Sequence, residues 1–115
     1  SRLEGITKQY GADIIVGEGT RRLISGFVLR ELDRVRVKGK DEPVAIFEPL
    51  GLEGQVDPAR LDEIGLWNQA LRLYRAKDWD SAELQLLNLR KRTPASDRHE
   101  LFIERIAHYE LPKTR

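Results

Sequence analysis

FVLRELDRVRVKGKDEPVAIFEPL, residues 27–50, contains the pattern that decides the fold. Within it, Arg34-Val35-Arg36-Val37-Lys38 alternates strictly between cations and valines. This alternation predicts a β-strand with the valines on a buried face and the cations on the other face. Gly39-Lys40-Asp41 supplies turn residues before a second apolar run. The stretch therefore predicts an antiparallel β-hairpin, with Lys38 beside its turn.

The two strands of this hairpin differ in their apolar patterns. Phe27 and Leu29 fall on one face of the first strand, whereas Leu32 falls on the opposite face. A β-bulge near Glu31 would produce this change of phase. The second strand, Val44-Ala45-Ile46-Phe47, is apolar on both faces, so we expect it to be covered by another element.

The composition limits the possible functions. The 115 residues suffice for one domain or for two small units. Twenty Lys and Arg residues nearly balance nineteen Asp and Glu residues, and the net charge of +1 gives no general attraction for nucleic acid or an anionic membrane. The chain has no cysteine, and its two histidines lack the spacing of metal ligands. We therefore expect a cytoplasmic protein with no nucleic-acid partner and no metal site in this segment.

The start of the chain suggests an excised piece of a longer protein, because it begins Ser-Arg-Leu-Glu and contains no methionine. No apolar run approaches the about 20 residues that a membrane span needs. We expect no membrane contact from this segment, and a membrane anchor upstream is left open.

A short helix is expected at the start of the chain. Leu3, Ile6 and Tyr10 recur at helical spacing, and Gly11 is suited to end the helix in a left-handed conformation. Two interpretations of its first turn remain open. Residues 1–4 form a capping box typical of a helix start, or the helix continues upstream.

Further elements follow on both sides of the hairpin. Residues 13–16 predict a short buried strand, and residues 18–24 predict one or two helical turns. Together with the hairpin they predict an α+β fold, a partial mixed or antiparallel sheet with helices on one face. The polar, glycine-containing residues 51–56 indicate a domain boundary.

Residues 57–111 contain three apolar stripes at helical spacing. The first follows the N-cap pair Asp57-Pro58 and consists of Leu61, Ile64, Trp67, Leu71 and Tyr74. The second begins at Asp80 and ends before Pro94. The third begins at the capping box of residues 97–100 and ends near Pro112. The second half is therefore expected to be helical.

Two stretches, SRLEGITKQYGADIIVGEGTRRL (residues 1–23) and ELDRVRVKGKDEPVAIFEPLG (residues 31–51), resemble the end of a known catalytic domain. The first is similar to the helix and strand, and the second to the closing hairpin, of class III nucleotidyl cyclases. The resemblance covers residues 1–51 without a visible gap. It identifies them as the C-terminal part of that catalytic domain.

The resemblance implies an activity for the intact parent protein. The family converts a nucleoside triphosphate to a 3′,5′-cyclic monophosphate and pyrophosphate, with two magnesium or manganese ions, in sites between the subunits of a dimer. Family frequency favours ATP over GTP, hence an adenylate cyclase in cyclic-nucleotide signalling. The metal-binding aspartates, the residues that recognise the purine and an asparagine that partners the catalytic arginine lie before Ser1 in the family pattern. The fragment alone is therefore expected to be inactive.

The same resemblance assigns roles to two residues. Arg2 occupies the position of the arginine that stabilises charge at the α-phosphate in the transition state. Lys38 occupies the position of the lysine that holds the triphosphate, with Lys40 the less favoured candidate. A planar guanidinium suits bidentate phosphate contacts, and an ammonium group suits contact as a point charge. No residue of this chain is assigned to metal binding.

Residues 63–96 resemble a single tetratricopeptide repeat within a helical tail, residues 52–115. The matching positions are Leu66, Ala70, Leu73, Ala82, Leu86, Leu89 and Pro94. The repeat departs from the family in having leucine at position 66, where tryptophan is usual. Because about three repeats are normally needed for stability, we expect a capping third helix over residues 97–111. We also expect the tail to dock on the sheet or to pair with a second copy, which makes residues 51–57 a constrained joint.

An alternative function remains open at this stage. The chain would then be a non-catalytic interaction module, with a cyclase-like scaffold and helices that bind a protein partner. Trp67, Tyr74 and Trp79 could line a peptide groove, but their helical spacing favours positions in the core. His99 and His108 are expected at the surface.

Overall fold

The computed structural model describes residues 2–93 and 97–110, with side chains from residue 5 onward. The chain divides into two compact units, Ser1–Leu61 and Asp62–Arg115, here named the sheet unit and the helical unit. The elements in chain order are α1 (Arg2–Tyr10), β1 (Val16–Gly17), α2 (Glu18–Leu23), β2 (Phe27–Val35), β3 (Val44–Leu52), α3 (Pro58–Arg75), α4 (Trp79–Arg92) and α5 (Asp97–Glu110). The assignment of residues 1–51 and 52–115 to separate domains stays a prediction.

The sheet unit contains, within the described residues, a three-stranded antiparallel sheet in the order β1-β3-β2. The hairpin of β2 and β3 forms most of it, and β1 adds only the pairs Val16 with Phe47 and Gly17 with Ile46. The predicted α+β class is thereby confirmed, whereas the cyclase-specific architecture stays a prediction.

The expected irregularity in β2 is confirmed. The pairing register of β2 with β3 shifts between Glu31 and Asp33, and a second shift lies between Val28 and Leu29. Two consecutive side chains, Leu32 and Asp33, are consequently both buried. A bulge allows this, because the extra residue breaks the regular alternation of faces.

The predicted bounds of the strands were partly wrong. The first strand ends at Val35 instead of continuing to Lys38, so the expected alternation stops there, and Val37 is 40% exposed. The chain leaves the sheet because it turns between Val37 and Lys40. β3 continues past Phe47 to Leu52. Of residues 13–16, which were expected to form a short strand before the hairpin, only Val16 lies in β1.

The core of the sheet unit lies between α1, the segment that follows it and the hairpin. Its buried apolar residues are Tyr10, Ala12, Ile15, Leu32, Ile46 and Phe47. α1 ends as expected at Gly11, which has a φ of 66°. The Ala12 amide donates to the carbonyl of Thr7 and the Gly11 amide to that of Lys8, the two bonds of a Schellman motif.

In its described residues, the helical unit contains three helices, and their directions follow from their contacts. The Gln85 side-chain amide of α4 donates to the Leu66 carbonyl at 3.2 Å, and Arg92 near the end of α4 pairs with Asp62 near the start of α3 at 3.2 Å. These contacts make α4 antiparallel to α3. Phe102 of α5 contacts the Trp67 ring, with ring centroids 5.2 Å apart, whereas the later Tyr109 contacts Tyr74. α5 therefore lies parallel to α3.

The apolar part of the core of the helical unit combines aliphatic and aromatic side chains. Its buried apolar residues are Ile64, Trp67, Ala70, Leu71, Ala82, Leu86, Leu89, Phe102 and Ile106. Trp67 is completely buried, as its helical spacing predicts. The expected end of the tetratricopeptide-like stretch at Pro94 lies outside the described residues. None of the described helices combines the length and the apolar character that crossing a membrane requires.

Candidate functional site

The loop between β2 and β3 presents the residue predicted to contact a triphosphate. The amide of Lys40 donates to the carbonyl of Val37 at 3.0 Å, which closes a turn with Lys38 and Gly39 at its centre. Gly39 has a φ of 88°, a left-handed value that the second central position of a type II turn requires. Because this turn fixes the backbone on both sides of Lys38, the exposed lysine extends from a defined point.

A second contact holds the same loop. The Arg36 guanidinium donates to the backbone carbonyl of Asp41 at 3.3 Å, across the loop. Arg36, Lys38 and Lys40 are all exposed, and the acidic Asp41 lies among them. The loop therefore offers three cations to solvent on a backbone that two hydrogen bonds restrain.

The predicted catalytic arginine is located by its backbone alone. Arg2 is the first residue of α1. Its side chain lies outside the described residues, so its predicted role stays a prediction. The distance between the Arg2 and Lys38 side chains is likewise outside the described geometry.

The strands that carry this loop, β2 and β3, also contain a buried ion pair. Arg30 and Glu48 stand directly opposite each other on β2 and β3, and the Arg30 Nε atom lies 3.3 Å from the Glu48 Oε1 atom. The Arg30 residue is only 1% exposed. Burying a guanidinium is unfavourable without a nearby anion, so Glu48 is required for Arg30 to occupy this position.

A second buried polar contact joins α1 to β2. The Tyr10 hydroxyl donates to the Asp33 Oδ2 atom at 2.6 Å, and both residues are buried. The other oxygen of Asp33, Oδ1, accepts from the backbone amide of Arg34 at 2.8 Å. Asp33 therefore links the end of α1 to the strand that leads into the Lys38 loop.

Sequence reasoning missed these buried polar residues. The sequence pattern placed only the cations Arg34, Arg36 and Lys38 on a solvent face, and it gave no prediction for Arg30 and Asp33, which are buried. One available signal was the opposite charge of Arg30 and Glu48 on the two strands of one hairpin, since opposite charges favour cross-strand pairs. The bulges conceal this signal, because the pairing register cannot be counted from the turn.

The helical unit has a groove of about 580 Å³ at one end. Its lining residues are Tyr74, Arg75, Lys77, Trp79 and Tyr109. The rings of Trp79 and Tyr109 stack with centroids 5.1 Å apart. Trp67 is buried in the core as expected, whereas the half-buried Tyr74 and Trp79 line the groove.

Charges around the groove act on the Tyr74 hydroxyl. Burial raises the pKa of Tyr74, and a hydrogen bond from the neighbouring Arg105, with its positive charge, lowers it in part. Burial and the Arg105 guanidinium therefore act in opposite directions on the pKa of the Tyr74 hydroxyl, and burial has the larger effect. His108 is exposed as expected, but the expectation for His99 was wrong, since His99 is completely buried against Trp67 with ring centroids 5.9 Å apart.

In the described part of the chain, no group of three or more His, Asp or Glu side chains has an arrangement that could hold a metal ion. No residue of the site above is therefore assigned to a metal.

Comparison with known proteins relates part of this chain to a cyclase. No protein-family model matches the chain, and no solved structure is significantly similar to it. A protein named adenylate cyclase from Anabaena cylindrica is 50% identical to it over 52 residues, which make up 42% of this chain. The matched part is 10% of that cyclase's length.

Proposed function

We propose that residues 1–51 are the C-terminal part of the catalytic domain of a class III adenylate cyclase, which converts ATP to 3′,5′-cyclic AMP and pyrophosphate. The observation that supports this most strongly is the 50% identity to an adenylate cyclase over 52 residues. The helix, short strand and long hairpin occur in the order that the family resemblance implies.

The loop geometry supports a role for Lys38 in this reaction. A lysine ammonium is a compact point charge, which suits contact with the flexible oxygens of a triphosphate. A turn with fixed backbone dihedrals reduces the freedom that Lys38 loses when it binds substrate. In the proposed role, Lys38 contributes mainly to substrate binding and therefore to KM.

Arg2 is proposed to act at a different stage. A guanidinium that contacts the α-phosphate gains most when negative charge increases there in the transition state. Its loss should therefore lower kcat more than it raises KM. The resemblance assigns the magnesium or manganese ligands to residues before Ser1, and it implies that two subunits form each site. The residues of this chain are therefore given no part in binding the metal ions.

A chimera tests this proposal directly. Residues 1–51 would replace the matching segment of the Anabaena cylindrica adenylate cyclase, and turnover of ATP and GTP would be measured. We expect cyclic AMP formation, a loss in kcat of about 100-fold for Arg2→Ala, and a rise in KM of at least about tenfold for Lys38→Ala. Lys40→Ala in the same loop is the control and should change KM less than about twofold.

Three results would contradict the proposal. A folded chimera without activity toward either nucleotide favours the alternative, an interaction module with a cyclase-like scaffold. Wild-type kinetics of both Arg2→Ala and Lys38→Ala would show that the register of the resemblance is wrong. Turnover of ATP or GTP with manganese by the 115-residue chain alone would show that residues outside it are not required.

The helical unit is proposed to be tetratricopeptide-like. In such repeats, one helix pairs antiparallel with the next and a following helix runs parallel to the first. The contacts of Gln85 with α3 and of Phe102 with Trp67 agree with this order. Appending residues 52–115 to the chimera tests the tail. Because the resemblance already implies a dimer of the catalytic domain, the quantity to measure by sedimentation is the dissociation constant of the dimer. A lower dissociation constant with the tail would support pairing of tails, and an unchanged constant would contradict it.

A further inference from the structure

The hydrogen bond between Tyr10 and Asp33 connects the two elements that contain the proposed site residues. Tyr10 is the last residue of α1, whose first residue is Arg2. Asp33 lies on β2, three residues before Arg36 and the start of the Lys38 loop. The donor and acceptor atoms are 2.6 Å apart and buried, so water does not compete for the contact.

Each side of this contact is itself fixed to its own element. On the α1 side, the Schellman motif at Gly11 ends the helix immediately after Tyr10. On the β2 side, the second carboxylate oxygen of Asp33 accepts from the Arg34 amide at 2.8 Å. The contact therefore joins the helix backbone to the strand backbone through one short side chain and one aromatic ring.

The location of Asp33 at a bulge is also informative. In a regular strand, Asp33 would lie on the face opposite to the buried Leu32. The register shift between Glu31 and Asp33 instead directs the Asp33 side chain inward as well. Bulges of this kind frequently re-aim a side chain next to an active site. Without the bulge, Asp33 would face away from Tyr10.

We propose that Tyr10 and Asp33 are positioning residues, which fix α1 relative to the β2–β3 hairpin so that Arg2 and Lys38 reach the same nucleoside triphosphate. This inference rests on the proposed cyclase function. α1 extends about 12 Å from Tyr10 to Arg2, at about 1.5 Å per residue. A small rotation at Tyr10 is therefore amplified at Arg2, and a misplacement of about 1 Å costs up to about 100-fold in rate.

The test uses Tyr10→Phe in the chimera described above. This variant keeps the Tyr10 ring and the bond between Asp33 and the Arg34 amide, and it removes the hydroxyl through which α1 is linked to Asp33. We expect kcat to fall about tenfold, because Arg2 acts in the transition state, while KM changes less than about twofold. Asp33→Asn should lower kcat in the same direction, whereas Asp13→Asn, the same chemical change at an exposed position, should not change it.

A double-variant comparison separates positioning from general stability. If Tyr10 acts through Arg2, adding Tyr10→Phe to Arg2→Ala should lower kcat no further. An equal tenfold loss in both backgrounds, or a loss that follows the fraction of unfolded protein, would overturn the inference. The proposed function is tested separately by Arg2→Ala and Lys38→Ala. If these lower activity and Tyr10→Phe does not, only the positioning role is wrong.

Discussion

The sheet unit and the helical unit both bury polar and charged side chains, and they differ in what surrounds those side chains. In the sheet unit, the buried residues include Arg30, Asp33 and Glu48, each beside a partner of complementary charge or hydrogen-bonding character. In the helical unit, aromatic rings surround Phe102, which contacts Trp67 and Tyr74 edge to face. The helical unit also has buried polar residues, but Arg98 and His99 lie against the Trp67 ring there. We therefore expect polar pairing to matter more in the sheet unit and filled aromatic volume to matter more in the helical unit.

This difference determines how strictly each unit specifies one arrangement of its strands or helices. A hairpin with two bulges could slip in register, and every slip would separate Arg30 from Glu48 and leave two buried charges unpaired. Helices tolerate small shifts more easily, because rings and aliphatic chains repack without losing a specific partner. Substitutions should accordingly have different consequences in the two units.

Removal of the central ring of the helical unit should have the largest effect on stability. Trp67→Ala leaves a cavity beside Phe102 and should lower the free energy of unfolding by about 3–5 kcal/mol. Urea unfolding followed by circular dichroism measures this, and Leu84→Ala at an exposed position of α4 is the control, with a change below about 0.5 kcal/mol.

The same variant tests whether the two units stabilise each other. If the tail docks on the sheet, which is one of the two alternatives that the sequence leaves open, amides of β2 and β3 should lose protection from exchange in Trp67→Ala. Unchanged protection there, with loss confined to α3, α4 and α5, would show that the two units unfold independently.

The buried ion pair of the sheet unit should have the next largest effect. Arg30→Leu leaves the Glu48 carboxylate buried without its guanidinium and should lower the free energy of unfolding by about 3 kcal/mol. The double variant with Glu48→Leu removes both charges and should recover most of the loss. If the double variant is as unstable as the sum of the two single ones, the pair does not act as a unit.

The helical unit offers a matched comparison for this prediction. Glu63 and Arg98 form its buried pair at 3.5 Å, and the Arg98 guanidinium also lies 5.8 Å from the centre of the Trp67 ring. Because the ring provides a second favourable contact, Glu63→Leu should cost less than Glu48→Leu. An equal or greater loss would show that polar pairing matters as much in the helical unit.

The order and type of most elements could be predicted from the sequence, for identifiable reasons. The apolar spacing around Trp67 and the cap at Asp57-Pro58 are local signals, and α3 begins at Pro58 as they indicate. The end of β2 at Val35 could not be predicted, because the alternating residues continue to Lys38 while the backbone already forms the turn from Val37 to Lys40. Alternating residues alone do not show where a strand ends.

The candidate site was predictable only in part. The resemblance singled out Lys38, and the structure places it on a restrained, exposed turn. The contact of Tyr10 with Asp33 spans 23 positions and depends on a bulge. His99 was expected at the surface, whereas packing against Trp67 buries it. Contacts of this kind require the tertiary structure.

Gly51, the second-last residue of β3, provides a prediction of intermediate size. Gly51 has a φ of 152°, and a Cβ atom added there would lie 3.1 Å from the Val56 Cγ2 atom. Gly51→Ala should therefore lower the free energy of unfolding by about 2 kcal/mol, from backbone strain and crowding together. Gly54→Ala also has a positive φ but open space around it, so it should cost about half as much. Equal losses would show that the contact with Val56 is unimportant.

The smallest expected effect compares the ends of two helices, one in each unit. α3 ends at Arg75, and Lys77, two residues later, has a φ of 63°. The Asp78 amide donates to the Leu73 carbonyl, which gives the same Schellman motif that Gly11 forms after α1. Lysine has a Cβ atom that disfavours this left-handed conformation, whereas glycine adopts it freely.

Lys77→Gly should consequently raise the free energy of unfolding by about 0.5 kcal/mol. The relief of backbone strain, about 1 kcal/mol, is partly offset by the greater freedom of glycine in the unfolded chain. Lys77→Ala keeps the strain and removes the charge, so it separates the two effects and should change stability little. The reverse substitution in the sheet unit, Gly11→Ala, should lower stability by about 1 kcal/mol. If Lys77→Gly and Lys77→Ala have the same effect in urea unfolding, the charge of Lys77 matters at the end of α3, and its backbone conformation does not.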